Sequence, residues 1–198
     1  MSSATKAEAK VRLTVREFEQ ILDTGMFEGR HVELLGGELF EVTKNPPHDF
    51  AVLALAKRLG KLVPEERWTI REEKAIQLNP FWRPEPDIAV ARGSYLNYQT
   101  RRPGPAEIDL VIEVTETSHE TDRGRKYHGY AASGLPVYWI VDLVNRVVEV
   151  HSKPTGSGDE ACYDAVEIFD ETREIVLVLG GQEYGRIAVK DILPNATS

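Results

Sequence analysis

Cysteine is almost missing from this 198-residue chain. The lone Cys162 excludes a disulfide scaffold and any zinc module built from several thiolates. In its strand-like setting it reads as a small buried hydrophobe. Long apolar runs are missing too. No stretch reaches the ~18 residues that a membrane-spanning helix requires, and Met1 to Lys10 lacks the apolar core of a secretory signal. The expectation is a cytoplasmic protein with no membrane contact, a frayed leader over residues 1–11 and a single domain over residues 12–198. No glycine-rich phosphate loop follows a strand-like run, and there is no Gly-x-Ser-x-Gly elbow, so nucleotide-fold and serine-hydrolase readings have no support. Positive charge is scarce: 24 basic residues face 32 acidic ones, a net charge of −8. An anionic chain repels phosphate at long range, so a nucleic-acid partner would require a local basic face or a metal ion. Surplus carboxylate itself suits a hard cation.

The chain nevertheless has 41% hydrophobic residues, enough at this length for a substantial core. Thr14-Val-Arg-Glu17 is a capping-box pattern, and Phe18, Ile21 and Leu22 continue it as a short helix to about Asp23. Two strand-like runs around Gly36-Gly37 read as a hairpin. Pro46-Pro47 opens a helix reaching about Val63. Trp68 to Leu78 suits an exposed strand or hairpin arm, Asp87 to Val90 a short buried strand, and Ile108 to Val114 a further strand. Residues 120–132 read as a helix that Gly134 ends. Val137 to Val141 is continuous enough to be buried on both faces. Short strands follow at Val147–Val150, Cys162–Phe169, Ile175–Leu179 and Arg186–Val189, with a mobile loop over Lys153 to Asp159. This order predicts an α/β fold, a mixed sheet flanked by few helices.

Carboxylates within apolar strands are the informative anomaly. Glu113 interrupts Leu110-Val111-Ile112-Glu113-Val114, and Asp87 opens a buried strand directly after Pro86. A buried carboxylate is costly without a partner, so each is either solvated at a strand end, paired, or bound to metal. Asp122, Lys126 and Tyr130 follow at spacings of four, which places them on one helix face. A strand bearing Glu113 that feeds this helix could bring the ammonium to the carboxylates. Two carboxylates on a divalent ion with a lysine alongside form a phosphodiester-cleaving arrangement, in which the ion polarises phosphate and acidifies bound water. The alternative for the helix is an ordinary solvated Asp–Lys pair.

Pro86-Asp87, Glu113-Val114, Asp122, Lys126, Tyr130 and the run Gly134-Leu-Pro-Val-Tyr-Trp-Ile-Val-Asp142 together resemble the Uma-type restriction endonucleases of the PD-(D/E)xK nuclease superfamily. Glu33 to Glu38 and Pro47-His48 extend the resemblance over about residues 12–152. It implies a restriction-endonuclease-like fold, a central mixed sheet with helices on both sides and a metal site at strand ends. It also implies that Asp87 and Glu113 ligate Mg2+ or Mn2+, and that Glu33 and His48 complete the pocket as an additional ligand or proton-handling groups. Lys126 would be the catalytic lysine moved from the strand onto the next helix, since Thr115 occupies the strand position. Asp122 and Tyr130 would stand behind the ligands or face phosphate. The family usually reads Glu-Val-x-Ser-Pro-Ser, whereas this chain has Glu113-Val-Thr-Glu-Thr-Ser118; the added Glu116 could recruit a second metal, point to water or repel phosphate.

Arg92, Arg101 and Arg102 form the best basic cluster for DNA contacts, against an ordinary solvated loop. His119 and His128 read as surface histidines, and His31 and His151 have no assigned role. Trp68, Phe81, Trp82 and Trp139 could stack bases but are more simply core. The leading expectation is a metal-dependent endonuclease acting on DNA, as a homodimer. The competing ones are a non-catalytic DNA-binding or accessory domain on the same scaffold and a metal-dependent hydrolase of small phosphate esters.

Overall fold

The computed structural model describes residues 10–116 and 121–195. Most of the expected leader, and Thr117, Ser118, His119 and Glu120, lie outside them. Thr14 caps α1 (Val15–Asp23) through the capping box, accepting from the Glu17 amide. The hairpin β1 (His31–Leu35) and β2 (Glu38–Val42) turns at Gly36 and Gly37, both at positive φ, where a Cβ would be strained. Asn45 caps α2 (Pro46–Leu62), whose prolines occupy the first turn, where no amide partner is required.

The main sheet has six strands: β3 (Trp68–Glu72), β4 (Ile88–Arg92), β5 (Ile108–Thr115), β6 (Val137–Asp142), β7 (Val147–Thr155) and β8 (Cys162–Asp170), adjacent in that order. Every pairing is antiparallel except β5 with β6. That parallel pair requires a crossover, supplied by a π-helical turn (Thr121–Lys126) and α3 (Tyr127–Ala132). A hairpin of β9 (Glu174–Leu179) and β10 (Gln182–Ala188) forms a separate small sheet. Alternation along the strands builds two cores. Leu110, Ile112 and Val114 face α2 and the β9–β10 hairpin, while Val111 faces Tyr130 and Ala131 of α3. β6 contributes Trp139 and Val141 to one core and Tyr138 and Ile140 to the other, as its unbroken apolar run predicts. A third cluster, with Phe18 and Leu34, seats α1 on the first hairpin.

Three expectations are corrected. The strand from Trp68 ends at Glu72, because Glu73 turns the chain at φ 50° and the following segment carries Ala75, Ile76 and Leu78 inward. Lys153 to Thr155 belong to β7, where Lys153 takes φ 61° and pairing resumes at Pro154 with Tyr163, so only the residues after Thr155 form the connection. Cys162 opens β8 half-buried, with its thiol 3.9 Å from the Thr155 hydroxyl.

Candidate active site

The antiparallel register sets Ile88 against Ile112, and this brings Asp87 beside Glu113 at one end of the sheet. Both are buried, at 4% and 3% exposure. The Val114 amide donates to Asp87 Oδ2 at 2.8 Å, so a backbone bond across the strands fixes that carboxylate. On the α3 side, Glu113 Oε1 accepts from the Tyr130 hydroxyl at 2.6 Å and from Lys126 Nζ at 3.1 Å. Lys126 ends the π-helical turn, an irregularity often found at functional sites. Its ammonium also lies 3.0 Å from Glu33 Oε2 and 4.0 Å from Asp122 Oδ1. Glu33 comes from β1, and its other oxygen accepts from the Glu85 amide at 2.6 Å. His48, in the first turn of α2, places Nε2 3.1 Å from Asp87 Oδ2. Five separate segments thus bring together all seven residues that sequence reasoning assigned to the centre or its support. Lys126 stands beside Glu113, on the same side of the sheet as α3.

The balance of charge is uneven. Lys126 faces Glu33, Glu113, Asp122 and Asp87, and their combined attraction outweighs burial and holds its pKa well above the ordinary value. One ammonium cannot neutralise four carboxylates. Burial drives Glu113 well above the ordinary carboxylate range, with Asp87, Asp122 and Glu33 adding repulsion that Lys126 only partly offsets. Burial likewise raises Glu33. Asp87 shifts the other way: burial is overcome by His48, Lys126 and the Val114 amide, and the carboxyl is held low. Burial would depress the His48 imidazole, but its bond to Asp87 raises it. The site therefore holds excess negative charge in a low-dielectric setting.

These groups line a cleft of about 230 Å³, together with Phe40, Glu41, Asn45, Glu85 and Glu116 among others. Its donors are carboxylate oxygens, the type that Mg2+ and Mn2+ prefer, and a divalent cation would offset the surplus charge. In kind and in charge the residues fit such an ion, although among the described residues no three Asp, Glu, His or Cys groups stand as a ready-made cage.

Sequence reasoning missed Lys44, which lies 2.7 Å from Glu73 and 3.5 Å from Asp87 and gives Asp87 a cation of its own. Its place directly before the Asn45-Pro46-Pro47 helix start, four residues from His48, was the available signal. Glu116 neither points away nor stands alone: it lines the cleft and accepts from the Asn45 side chain.

The expected basic patch is not at the cleft. Arg92 ends β4 at the opposite end from Asp87, and Asp109 neutralises it at 2.7 Å. Arg101 is bound by Glu107 at 2.7 Å, and Arg102 by Glu19 of α1. His128 is not a surface histidine but half-buried, with Nδ1 2.7 Å from the Ala161 carbonyl. Trp68 and Trp139 are core, Trp82 packs on Gly129, and Phe81 lies under Arg12.

Comparison with known proteins agrees with this architecture. A crystal structure titled as that of a putative nuclease belonging to DUF820 from Anabaena variabilis superposes with a TM-score of 0.70 at 16% identity, covering 91% of this chain and 97% of that one. At that identity the likeness speaks for the fold. No curated protein matches. The model of the Uma2 family, described as "Putative restriction endonuclease", matches residues 15–189. Among the described residues the match spans the three α-helices and the ten strands, and on that extent the chain belongs to the Uma2 family.

Proposed function

We propose that the protein is a metal-dependent nuclease that hydrolyses phosphodiester bonds in DNA, with the cleft around Glu113 as its active centre. One observation carries this reading: Glu33 of β1 and Glu113 of β5 pair with a buried lysine delivered by the next crossover, and Asp87, directly before β4, stands beside Glu113. Asp87 and Glu113 would hold Mg2+ or Mn2+, with Glu33 beside them. The ion would supply Lewis acidity toward the phosphate and lower the pKa of its bound water. The remaining roles belong to the chain. Lys126 offsets negative charge growing on the phosphate oxygens and orients the attacking water. Tyr130 fixes the rotamer of Glu113 through its 2.6 Å bond. His48 is oriented by the contact of its Nε2 with Asp87, which leaves Nδ1 as the nitrogen to accept or return a proton. Asp122 supports the ammonium from the same helical segment.

The test is cleavage of supercoiled plasmid and of a single-stranded oligonucleotide with Mg2+, Mn2+ or EDTA. Cleavage should require the ion and fall by about 100-fold or more in Asp87→Asn and in Lys126→Met, each checked for folding. Persistence in both variants rejects the site, and failure of the unmodified chain with either ion rejects the activity.

The short approach of Lys126 to Glu33 and Glu113, which leaves the carboxylates already engaged, favours a second reading. In it the scaffold serves DNA binding or an accessory role without catalysis. Titration calorimetry with no Mn2+ uptake, and function intact in Glu113→Gln, would decide for it.

A further inference from the structure

A nucleic-acid strand must cross an acidic molecule to reach the cleft, and the arginines that sequence reasoning favoured are neutralised at the wrong end of the sheet. One other cationic cluster borders the cleft. At the tip of the β1–β2 hairpin, Lys10 and Arg125 both pair with Glu38, Arg125 at 3.1 Å. Arg12 donates from Nε to the Gly36 carbonyl at 2.7 Å, and a Cβ at Gly36 would lie 3.6 Å from Arg125 Nη1, so the two guanidinium groups flank one residue. Three cations around a single carboxylate leave a local surplus of two positive charges in a chain of net −8. All three are open to solvent. The cluster adjoins the cleft through Phe40, which pairs with Glu33 across the hairpin and lines the cleft. The Arg125 guanidinium lies 4.7 Å from the Phe40 ring centroid.

We propose that this hairpin tip is the platform for the substrate strand, and that the substrate is DNA with unpaired nucleotides beside the cleaved bond. This rests on the nuclease reading and extends it to the class of substrate. Duplex binders typically neutralise about 6–10 phosphates, and a surplus of two charges cannot do that. It does match the few phosphates of a short single strand. An aromatic ring at the edge of the cleft gives an unpaired base a stacking surface, which a paired base could not use without leaving its helix.

The experiment is fluorescence anisotropy with a labelled single-stranded DNA 12-mer and its duplex, in EDTA so that nothing is cut. The single strand should bind at least about tenfold more tightly than the duplex. Two lost phosphate contacts at a slope of about 0.7 each predict, for Arg12→Gln/Arg125→Gln, weakening of about 60-fold at 50 mM salt and about 10-fold at 200 mM. Phe40→Leu, which keeps apolar volume in the hairpin, should lose about 5- to 150-fold through stacking alone, with little change in salt slope. Equal binding of strand and duplex, or an unchanged salt slope in the double arginine variant, overturns the proposal. Hydrolysis of bis(p-nitrophenyl) phosphate separates the two readings, since this small diester cannot span the cleft and the hairpin tip. If the unmodified chain hydrolyses neither this diester nor DNA, the nuclease reading falls while the anisotropy still decides the platform.

Discussion

Replacing Glu113 with Gln should abolish cleavage and yet stabilise the protein. The side chain is 3% exposed and shares its surroundings with Glu33, Asp87 and Asp122; the ammonium it touches is Lys126, while Lys44 serves Asp87. Glutamine keeps an acceptor for the Tyr130 hydroxyl and for Lys126, so no hydrogen bond is orphaned, while one of four mutually repelling charges disappears. Relief of this kind commonly gives about 0.5–2 kcal/mol; at about 2–4 °C per kcal/mol for a chain of this size, Tm should rise by about 1–8 °C. Lys126→Met should act in the opposite direction. It strands buried carboxylates, and breaking such a pair costs about 3–5 kcal/mol, much of the about 5–15 kcal/mol available to a domain. The pH dependence follows from the direction of the shift. Burial raises the folded-state pKa of Glu113 above its ordinary 4.5, so the stability contributed by the acid form is complete below that value and is lost as pH rises through the folded pKa. The advantage of Glu113→Gln should therefore be near zero at acid pH and grow toward pH 8. Scanning calorimetry in EDTA reads both variants across pH. A Glu113→Gln protein that melts lower than the unmodified chain at pH 8 would refute the idea that the site stores uncompensated charge.

Other consequences can be measured separately. A divalent ion that relieves this charge should raise Tm by mass action, by about 2.7 kcal/mol at a hundredfold excess over Kd; the shift should vanish in Asp87→Asn, and an equal shift there would place the ion elsewhere. Asp142 accepts from the Val144 and Asn145 amides, the Asn145 side chain and Arg123. Asp142→Ala should cost about 3–5 kcal/mol in chemical denaturation, and a cost below 1 kcal/mol would show that the turn forms without it. Burial of Asp142 is outweighed by Asn145 and Arg123, so its pKa is depressed and its contribution holds above about 3.9 but fades as pH falls through the folded value. Gly129→Ala would put a Cβ 2.3 Å from the Trp82 ring, a rigid neighbour. It should destabilise by about 1–3 kcal/mol and, by displacing α3 and Lys126, reduce cleavage more than it reduces Tm.

The sequence announces elements whose signals are local. The Thr14–Glu17 box, the Gly36-Gly37 turn and the Pro46-Pro47 start each act within a few residues, and α1, the hairpin and α2 appear where those signals put them. The apolar run of β6 declares its central place because only a strand covered on both faces can be continuously hydrophobic. The convergence of Asp87, Glu113 and Lys126 was legible for another reason: carboxylates set among apolar residues demand a partner, and partners of the right type follow within one crossover. What stayed illegible depends on distant pairing. Arg102 looks free in the sequence, but its carboxylate is Glu19, 83 residues away. Arg92 meets Asp109 only once β4 and β5 are in register. Lys153 looks like a loop residue because pairing across a positive-φ residue leaves no trace in composition.

The position of the lysine follows from the topology. A strand lysine two residues beyond Glu113 would share its face of the sheet, but Thr115 occupies that place, fully buried. Because β5 and β6 run parallel, the chain must return over the sheet before β6 can start, and the return passes over the end of β5 that holds Glu113. The π-helical turn and α3 then carry Lys126 and Tyr130, four residues apart, onto a single oxygen of Glu113. Glu33 approaches the same ammonium from the hairpin, so the lysine also ties β1 to the main sheet. The position of the ammonium is set by the carboxylates it meets and by the packing of Tyr130 and Ala131 in the core.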